Sequence, residues 1–309
     1  MRICIHNTQY AARPAFPAAN TGSEKSDRAV VEAVQSQKES AALRFLYGTV
    51  MGRLVLKLLC MRGISRLCGR FLDSGASKPL IRPFVRRHGI DLSEYAGEDF
   101  KSFNDFFSRK IKEDRRPVAW EPSALIAPCD GLLSAYRISE DTVIPVKQSG
   151  YTVSSLLGGD SAAERYHNGI CLVFRLCVDH YHRYCYIDSG VKGRNVFLPG
   201  KLHTVRPVAL EKFPVFTQNC REYTVIRTEN FGDIVQMEVG AMLVGKIKNW
   251  HGPGDVRRGE EKGMFLYGGS TVIVLLEEGR AHLPEELYQA TENQIETPVK
   301  MGQRIGGKR

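Results

Sequence analysis

Apolar positions in the first third of the chain recur at helical spacing, and those in the remainder recur at strand spacing. From Ala41 onward, Leu43, Leu46, Tyr47, Val50, Leu54, Leu58 and Met61 keep to three- and four-residue steps, which predicts a helix. Ahead of it, residues 1–38 carry Ala, Pro, Ser and Asn with few large apolar groups, the pattern of a flexible leader. The aromatic-dense Phe103-Asn104-Asp105-Phe106-Phe107 predicts a short helix that anchors the N-terminal segment to the core. After Pro117 the pattern changes to short apolar or alternating runs at 132–138, 142–146, 170–176, 223–228, 234–239 and 271–276, punctuated by glycine. Runs of this length, without long helices between them, predict a mostly antiparallel sheet. The expected fold class is α+β, with a flexible leader at 1–38, a helical segment at 39–116 and a β-rich core at 117–309. No internal repeat or low-complexity tract interrupts it.

Charge adds a partner class. Lys and Arg number 43 against 34 Asp and Glu, a net charge of +9 in 309 residues. Such an excess suits nucleic acid, a lipid surface or phosphorylated substrates. Between Ser40 and Leu72 stand Arg44, Arg53, Lys57, Arg62, Arg66 and Arg70 with no acidic residue, and Arg82, Arg86 and Arg87 extend the positive region. A Leu-rich basic helix without carboxylates reads as one that lies in a membrane interface, its long cationic stems reaching for headgroups. The competing reading is an ordinary packed helix with its charges in water. Nucleic acid is not expected as a partner, because neither a reading helix nor an aromatic-basic sheet motif is present. No stretch reaches the roughly 20 apolar residues that a membrane span needs. Met1-Arg2-Ile3-Cys4-Ile5-His6 runs straight into polar residues and lacks the apolar core of a signal peptide. None of the 8 cysteines is spaced C-x-x-C, so free thiols in a reducing compartment are expected and no metal site is.

Three segments set a reactive group beside a conformational punctuator. Asp130 lies in Pro128-Cys129-Asp130-Gly131, which alone reads as turn chemistry. His180 and His182, in Cys177-Val178-Asp179-His180-Tyr181-His182-Arg183-Tyr184-Cys185, would share one face of a strand. That pair suits a general base, a phosphate contact, or two ligands of a metal for which no third ligand stands out. Gly268-Gly269-Ser270-Thr271 opens a β-branched run and departs from the G-x-S-x-G elbow, because position 272 is Val.

Together and in this order, these blocks resemble the phosphatidylserine decarboxylase family of self-cleaving, pyruvoyl-dependent enzymes. The resemblance covers roughly residues 40–290. It also rests on Phe103-Asn104-Asp105-Phe106-Phe107, Arg116-Pro117, Tyr181-His182-Arg183, Val239-Gly240-Ala241-Met242-Leu243-Val244-Gly245 and Gly259-Glu260-Glu261-Lys262-Gly263. It implies a catalytic core at 117–309, preceded by membrane-docking helices, that cuts its own chain between Gly269 and Ser270. Asp130 would orient an imidazole, the imidazole would take the Ser270 proton, and Ser270 would attack the Gly269 carbonyl; a serine hydroxyl needs such help to become a nucleophile. Elimination then leaves dehydroalanine at 270, which becomes a pyruvoyl ketone with loss of ammonia. That covalent group, derived from Ser270, would act as an electron sink for decarboxylation. His182 would protonate the product carbanion, and Arg183 would meet either the phosphodiester or a structural ion pair.

The resemblance further implies phosphatidylserine in an anionic membrane as substrate, and phosphatidylethanolamine and carbon dioxide as products. The fragments 1–269 and 270–309 would form a heterodimer, with a higher oligomer left open, at the cytoplasmic face of the cell membrane as a peripheral protein. Alternatives are a pyruvoyl decarboxylase of a soluble amino acid and a non-catalytic basic membrane-binding protein. The chain departs from the family pattern Asp-Tyr-His-Arg-x-His, whose second histidine falls on Cys185. His182 serving both steps is the expectation, with His180, His203 and a Cys185 thiolate as alternatives.

Overall fold

The computed structural model describes residues 62–309 except 98, 142, 147–148, 201–214, 241–246 and 267–269, together with residues 45, 49, 51, 52 and 55. The leader at 1–38, most of the helix expected from Ala41 to Met61, His203, Gly268 and Gly269 lie outside the described residues. No helix among the described residues is long and apolar enough to cross a membrane.

Nine antiparallel strands form the main sheet: β1 (Gly131–Arg137), β2 (Ile170–Leu176), β3 (Gly190–Lys192), β4 (Val196–Leu198), β5 (Arg221–Thr228), β6 (Gly232–Val239), β7 (Gly254–Val256), β8 (Ser270–Leu276) and β9 (Thr297–Val299). Their order is β7-β3-β5-β6-β8-β2-β1-β9, and β4 also pairs with β5. The longest expected runs therefore form the centre of the sheet, where β-branched residues fit a surface that is covered on both sides. Every residue of β2 and β8 is buried.

Both faces of the sheet carry a core. Val272, Val274 and Leu276 pack with Phe174, Leu176, Tyr184, Tyr186 and Phe265, while Ile273 and Leu275 pack with Val173, Val235, Met237 and Tyr166. Two three-stranded sheets cover the first face. One runs Ile247–Asn249, Glu261–Phe265, Arg183–Cys185, and the other Ala281–His282, Arg304–Lys308, Ala124–Ile126.

Helices α1 (Arg62–Asp73), α2 (Ile81–His88) and α3 (Phe103–Phe107) precede the sheet. The Ser102 hydroxyl caps α3 by accepting from the Asp105 amide, and Ser77 ties α1 to α3 by donating to Leu72 O and accepting from Phe103 N. Their apolar sides meet in a cluster of Leu72, Ile81, Phe103, Phe106 and Phe107 that also takes in Val178 and Leu266. The aromatic helix thus anchors the N-terminal segment on two loops at one end of the main sheet.

One expectation fails. His180 and His182 do not sit on a strand, because the strand begins at Arg183. Residues 177–180 instead close a turn in which His180 N donates to Cys177 O (3.0 Å) and Cys177 N donates to His180 Nδ1 (3.1 Å). The turn takes the backbone groups that a ladder would need.

Candidate active site

The register gathers the reactive groups. β2 and β8 pair from Ile170↔Leu276 to Leu176↔Ser270, and β1 pairs with β2 up to Leu132↔Arg175. The start of β1, the end of β2 and the start of β8 therefore lie at one end of three adjacent strands. Asp130 precedes β1 by one residue, and Ser270 is the first residue of β8. The same two chain segments meet again in the smaller sheet, where Arg183 pairs with Met264 and Phe265 N donates to His182 O (2.9 Å). Residues 177–182 thus lead from the end of β2, where Leu176 pairs with Ser270, into the smaller sheet.

Gly131 makes the close approach of β1 to β2: a Cβ there would stand 3.2 Å from Arg175 O. A bond from Cys185 N to Pro128 O (2.8 Å) ties the Pro128-Cys129-Asp130-Gly131 turn to the smaller sheet. Asp130 is 6% exposed. Its carboxylate accepts from Arg116 in a fork, Nε to Oδ1 at 2.8 Å and Nη2 to Oδ2 at 2.6 Å, and Oδ1 also accepts from Met301 N at 2.9 Å. No imidazole hydrogen-bonds to Asp130 among the described residues. It does act on His180 through space: burial lowers the His180 pKa, and Asp179 and Asp130 pull it back up.

His182 is fully buried. Its Nδ1 lies 2.9 Å from His180 O, and since a carbonyl only accepts, Nδ1 carries the proton and Nε2 is a bare acceptor. Among the described residues Nε2 has no hydrogen-bond partner. The ring lies against Phe107 with centroids 4.0 Å apart. Burial, assisted by the Arg109 charge, holds the His182 pKa well below the ordinary 6.5, so the imidazole is neutral. A neutral, desolvated nitrogen with an open lone pair has the state a general base requires.

Ser270 is fully buried and Thr271 beside it is buried too. Cys185 is also fully buried, and desolvation pushes its pKa up to about 12. A pKa so raised disfavours the thiolate that a base here would need. Arg183 donates to Glu261 (2.6 Å) and to Ser108 O (2.9 Å), an ion pair that joins the smaller sheet to the end of α3. Cys177, Asp179 and His180 place one ligand atom each within 4.8 Å of one another. Arg175 also donates to the Cys177 sulfur (3.3 Å), and no fourth ligand joins the group among the described residues.

Sequence reasoning missed Arg116 as the partner of Asp130, although Arg116-Pro117 was visible as a block. It also missed a buried pair facing the same core as Ser270, Glu238 and Lys262. Glu238 gave a signal, a carboxylate between Met237 and Val239 in a run expected to be a strand. A cleft of about 610 Å³ opens beside Tyr181, lined among others by Lys110, Lys112 and Glu261.

Known proteins resemble this chain over most of its length. The sequence profile of phosphatidylserine decarboxylase matches residues 103–307. Phosphatidylserine decarboxylase proenzyme 2 of Clostridium acetobutylicum is 43% identical over 273 residues, covering 88% of this chain and 94% of its own. Phosphatidylserine decarboxylase proenzymes of Clostridium botulinum and Clostridium beijerinckii are 40% and 37% identical, each covering 86% of this chain and 92% of their own. The matched region contains the Asp130 turn, the His180–His182 loop and the start of β8, and the chain belongs to the phosphatidylserine decarboxylase family.

Proposed function

We propose that this chain decarboxylates phosphatidylserine to phosphatidylethanolamine and carbon dioxide, using a pyruvoyl group that it makes from its own Ser270. What supports the reading is membership of this family together with the strand register. In that register Asp130 just ahead of β1 and Ser270 at the head of β8 lie at the same end of adjacent strands as the loop that carries His182. The site fits such a group: residue 270 is buried, and the open Nε2 of a neutral imidazole lies on the loop that follows β2, whose last residue pairs with Ser270. When present, the ketone withdraws the electron pair that decarboxylation releases.

His182 Nε2 accepts the Ser270 proton in self-cleavage, and the same nitrogen holds the proton that the product takes up. Asp130, held in its fork with Arg116, favours positive charge on His180, whose carbonyl fixes the His182 tautomer. Phe107 and Arg109 close the site against water. The chain parts between Gly269 and Ser270, and fragments 1–269 and 270–309 stay together as one molecule.

The enzyme works as a peripheral protein on the cytoplasmic face of the membrane. Leu67, Phe71 and Leu80 are exposed on the helical layer beside exposed Arg70, Arg82, Arg86 and Arg87. Apolar insertion and attraction to anionic lipid then act together, each basic residue near the surface contributing about 1 kcal/mol.

Intact-mass analysis tests the reading. The wild-type protein is expected as two fragments, 270–309 being blocked to Edman sequencing, and Ser270→Ala as one uncleaved chain. Active enzyme with an ordinary serine still joined to Gly269 would refute it. Carbon dioxide release from lipid but not from free serine excludes the soluble-substrate alternative.

A further inference from the structure

Between the main sheet and the smaller sheet lies a polar cluster for which the cleavage chemistry above has no use. Lys262 Nζ donates to Glu238 Oε2 at 2.5 Å, and both side chains are fully buried. Asn249 Nδ2 donates to the same Oε2 (3.1 Å) and to Glu222 Oε1 (2.8 Å), and Asn249 Oδ1 accepts from Lys262 (3.3 Å) and from the Tyr184 hydroxyl (3.1 Å). Glu238 Oε2 is therefore fully engaged, while Oε1, equally buried, has no partner among the described residues. Glu222 stands directly opposite Glu238 across the β5–β6 ladder, and the Asn249 amide bridges the two carboxylates.

The cluster is built with care. The ladder between Glu261–Phe265 and Arg183–Cys185 shifts register between Glu261 and Gly263, so Lys262 is the extra residue of a bulge. A bulge re-aims one side chain, here into the core. A Cβ at Gly263 would stand 2.3 Å from Lys248 O and 2.8 Å from Asn249 Oδ1, so glycine lets the strands close around the cluster. An ion pair with no exposure is a costly way to fill a core, because an apolar pair of similar volume is commonly as stable or more so.

Register places this cluster next to residue 270. Glu238 pairs with Val272, and Ser270 lies two residues along β8 on the same face, a diagonal neighbour at about 7–8 Å. A buried carboxylate with one oxygen pinned and the other free is suited to hold a water and take its proton.

We propose that Glu238, fixed by Lys262 and Asn249, holds and activates the water that converts residue 270 to its ketone. The inference rests on the pyruvoyl reading above. Once the chain has parted by elimination, residue 270 is a dehydroalanine with a free amine, and its imine tautomer is open at Cα. Water oxygen adds to Cα as Glu238 Oε1 takes a water proton. Glu238 passes that proton to the nitrogen, giving a carbinolamine. The same carboxylate then carries the hydroxyl proton to the nitrogen as well, so that the C=O bond forms as the C–N bond breaks and ammonia leaves. One water enters, one ammonia departs, and no oxidant is needed. Burial pushes the Glu238 pKa up, and Lys262 and Asn249 act against that rise.

The test uses full-length protein with Glu238→Gln and Lys262→Met together, so that no buried charge loses its partner. The readouts are the mass of the 270–309 fragment and trapping of its ketone with a hydrazine. The variant is expected to part ahead of residue 270 but to retain nitrogen there, with ketone formation slowed at least about tenfold, the low side of general-base effects. A variant that forms ketone as fast as wild type overturns the proposal. So does a folded variant that no longer cleaves, since the pair would then act on the earlier step. If melting shows that this variant does not fold, Glu238→Leu with Lys262→Met makes the same measurement in an apolar core, and failure of both to fold overturns the proposal in favour of a purely structural pair. Wild-type protein whose fragment begins with ordinary serine would instead refute the underlying pyruvoyl reading.

Discussion

Asp130 and His182 solve opposite electrostatic problems within one site. Asp130 is a buried carboxylate whose charge is matched by a guanidinium fork and a backbone amide, whereas His182 is a buried base kept neutral by the lack of any such match. Replacing Arg116 with Met leaves Asp130 as an uncompensated buried charge, and a loss of about 3 kcal/mol is expected in urea unfolding. Adding Asp130→Asn should recover most of that stability without restoring self-cleavage. For His182 the folded pKa lies below the unfolded value of 6.5, so at lower pH the unfolded chain binds the extra proton. Its contribution is therefore complete above pH 6.5 and declines as pH falls below it. His182→Phe should flatten the acid side of a plot of melting temperature against pH. The sequence marks both residues, but not their states. Asp130 reads as turn chemistry because the guanidinium that pairs with it stands fourteen positions away, and the His182 tautomer follows from a turn that period-two reasoning replaces with a strand.

Elements divide into those whose own pattern defines them and those defined by what covers them. β2 and β8 are apolar along almost their whole length and are legible as central strands. Gln236 and Glu238 alternate with Val235, Met237 and Val239 on β6, which reads as a strand with one wet face. That face is dry, because Arg183–Cys185 and Glu261–Phe265 lie over it, and strands of three and five residues leave too short a pattern to be seen. The helical layer shows the converse. It buries Leu72 and Ile81 while leaving Leu67, Phe71 and Leu80 in water beside arginines. Leu67→Glu with Phe71→Glu should weaken cosedimentation with phosphatidylserine vesicles by at least about tenfold, since each large apolar side chain withdrawn from contact is worth about 1.5–3 kcal/mol. The melting temperature should hardly move, as neither side chain is part of a core. Unchanged vesicle binding would assign these residues to water.

At the scale of the molecule, residues 270–309 contribute β8, β9, the helix Glu285–Glu292 and the strand Arg304–Lys308. β8 lies between β6 and β2, and Arg304–Lys308 lies between Ala281–His282 and Ala124–Ile126. Fragments 1–269 and 270–309 are therefore expected to co-elute in gel filtration and to separate only in denaturant. Elution apart under native conditions would contradict the strand order. The antiparallel core was legible from run lengths; the two small sheets roofing it depend on contacts between distant segments, such as Ala124–Ile126 with Arg304–Lys308, that no local pattern announces.

On the pyruvoyl reading proposed above, the central place of β8 also sets the lifetime of the catalyst. A dissociable coenzyme can be replaced when it is spoiled, but a reactive group at the head of an inner strand cannot be withdrawn without dismantling the sheet around it. Each molecule is thus equipped once, and a chemical accident at position 270 retires the whole protein.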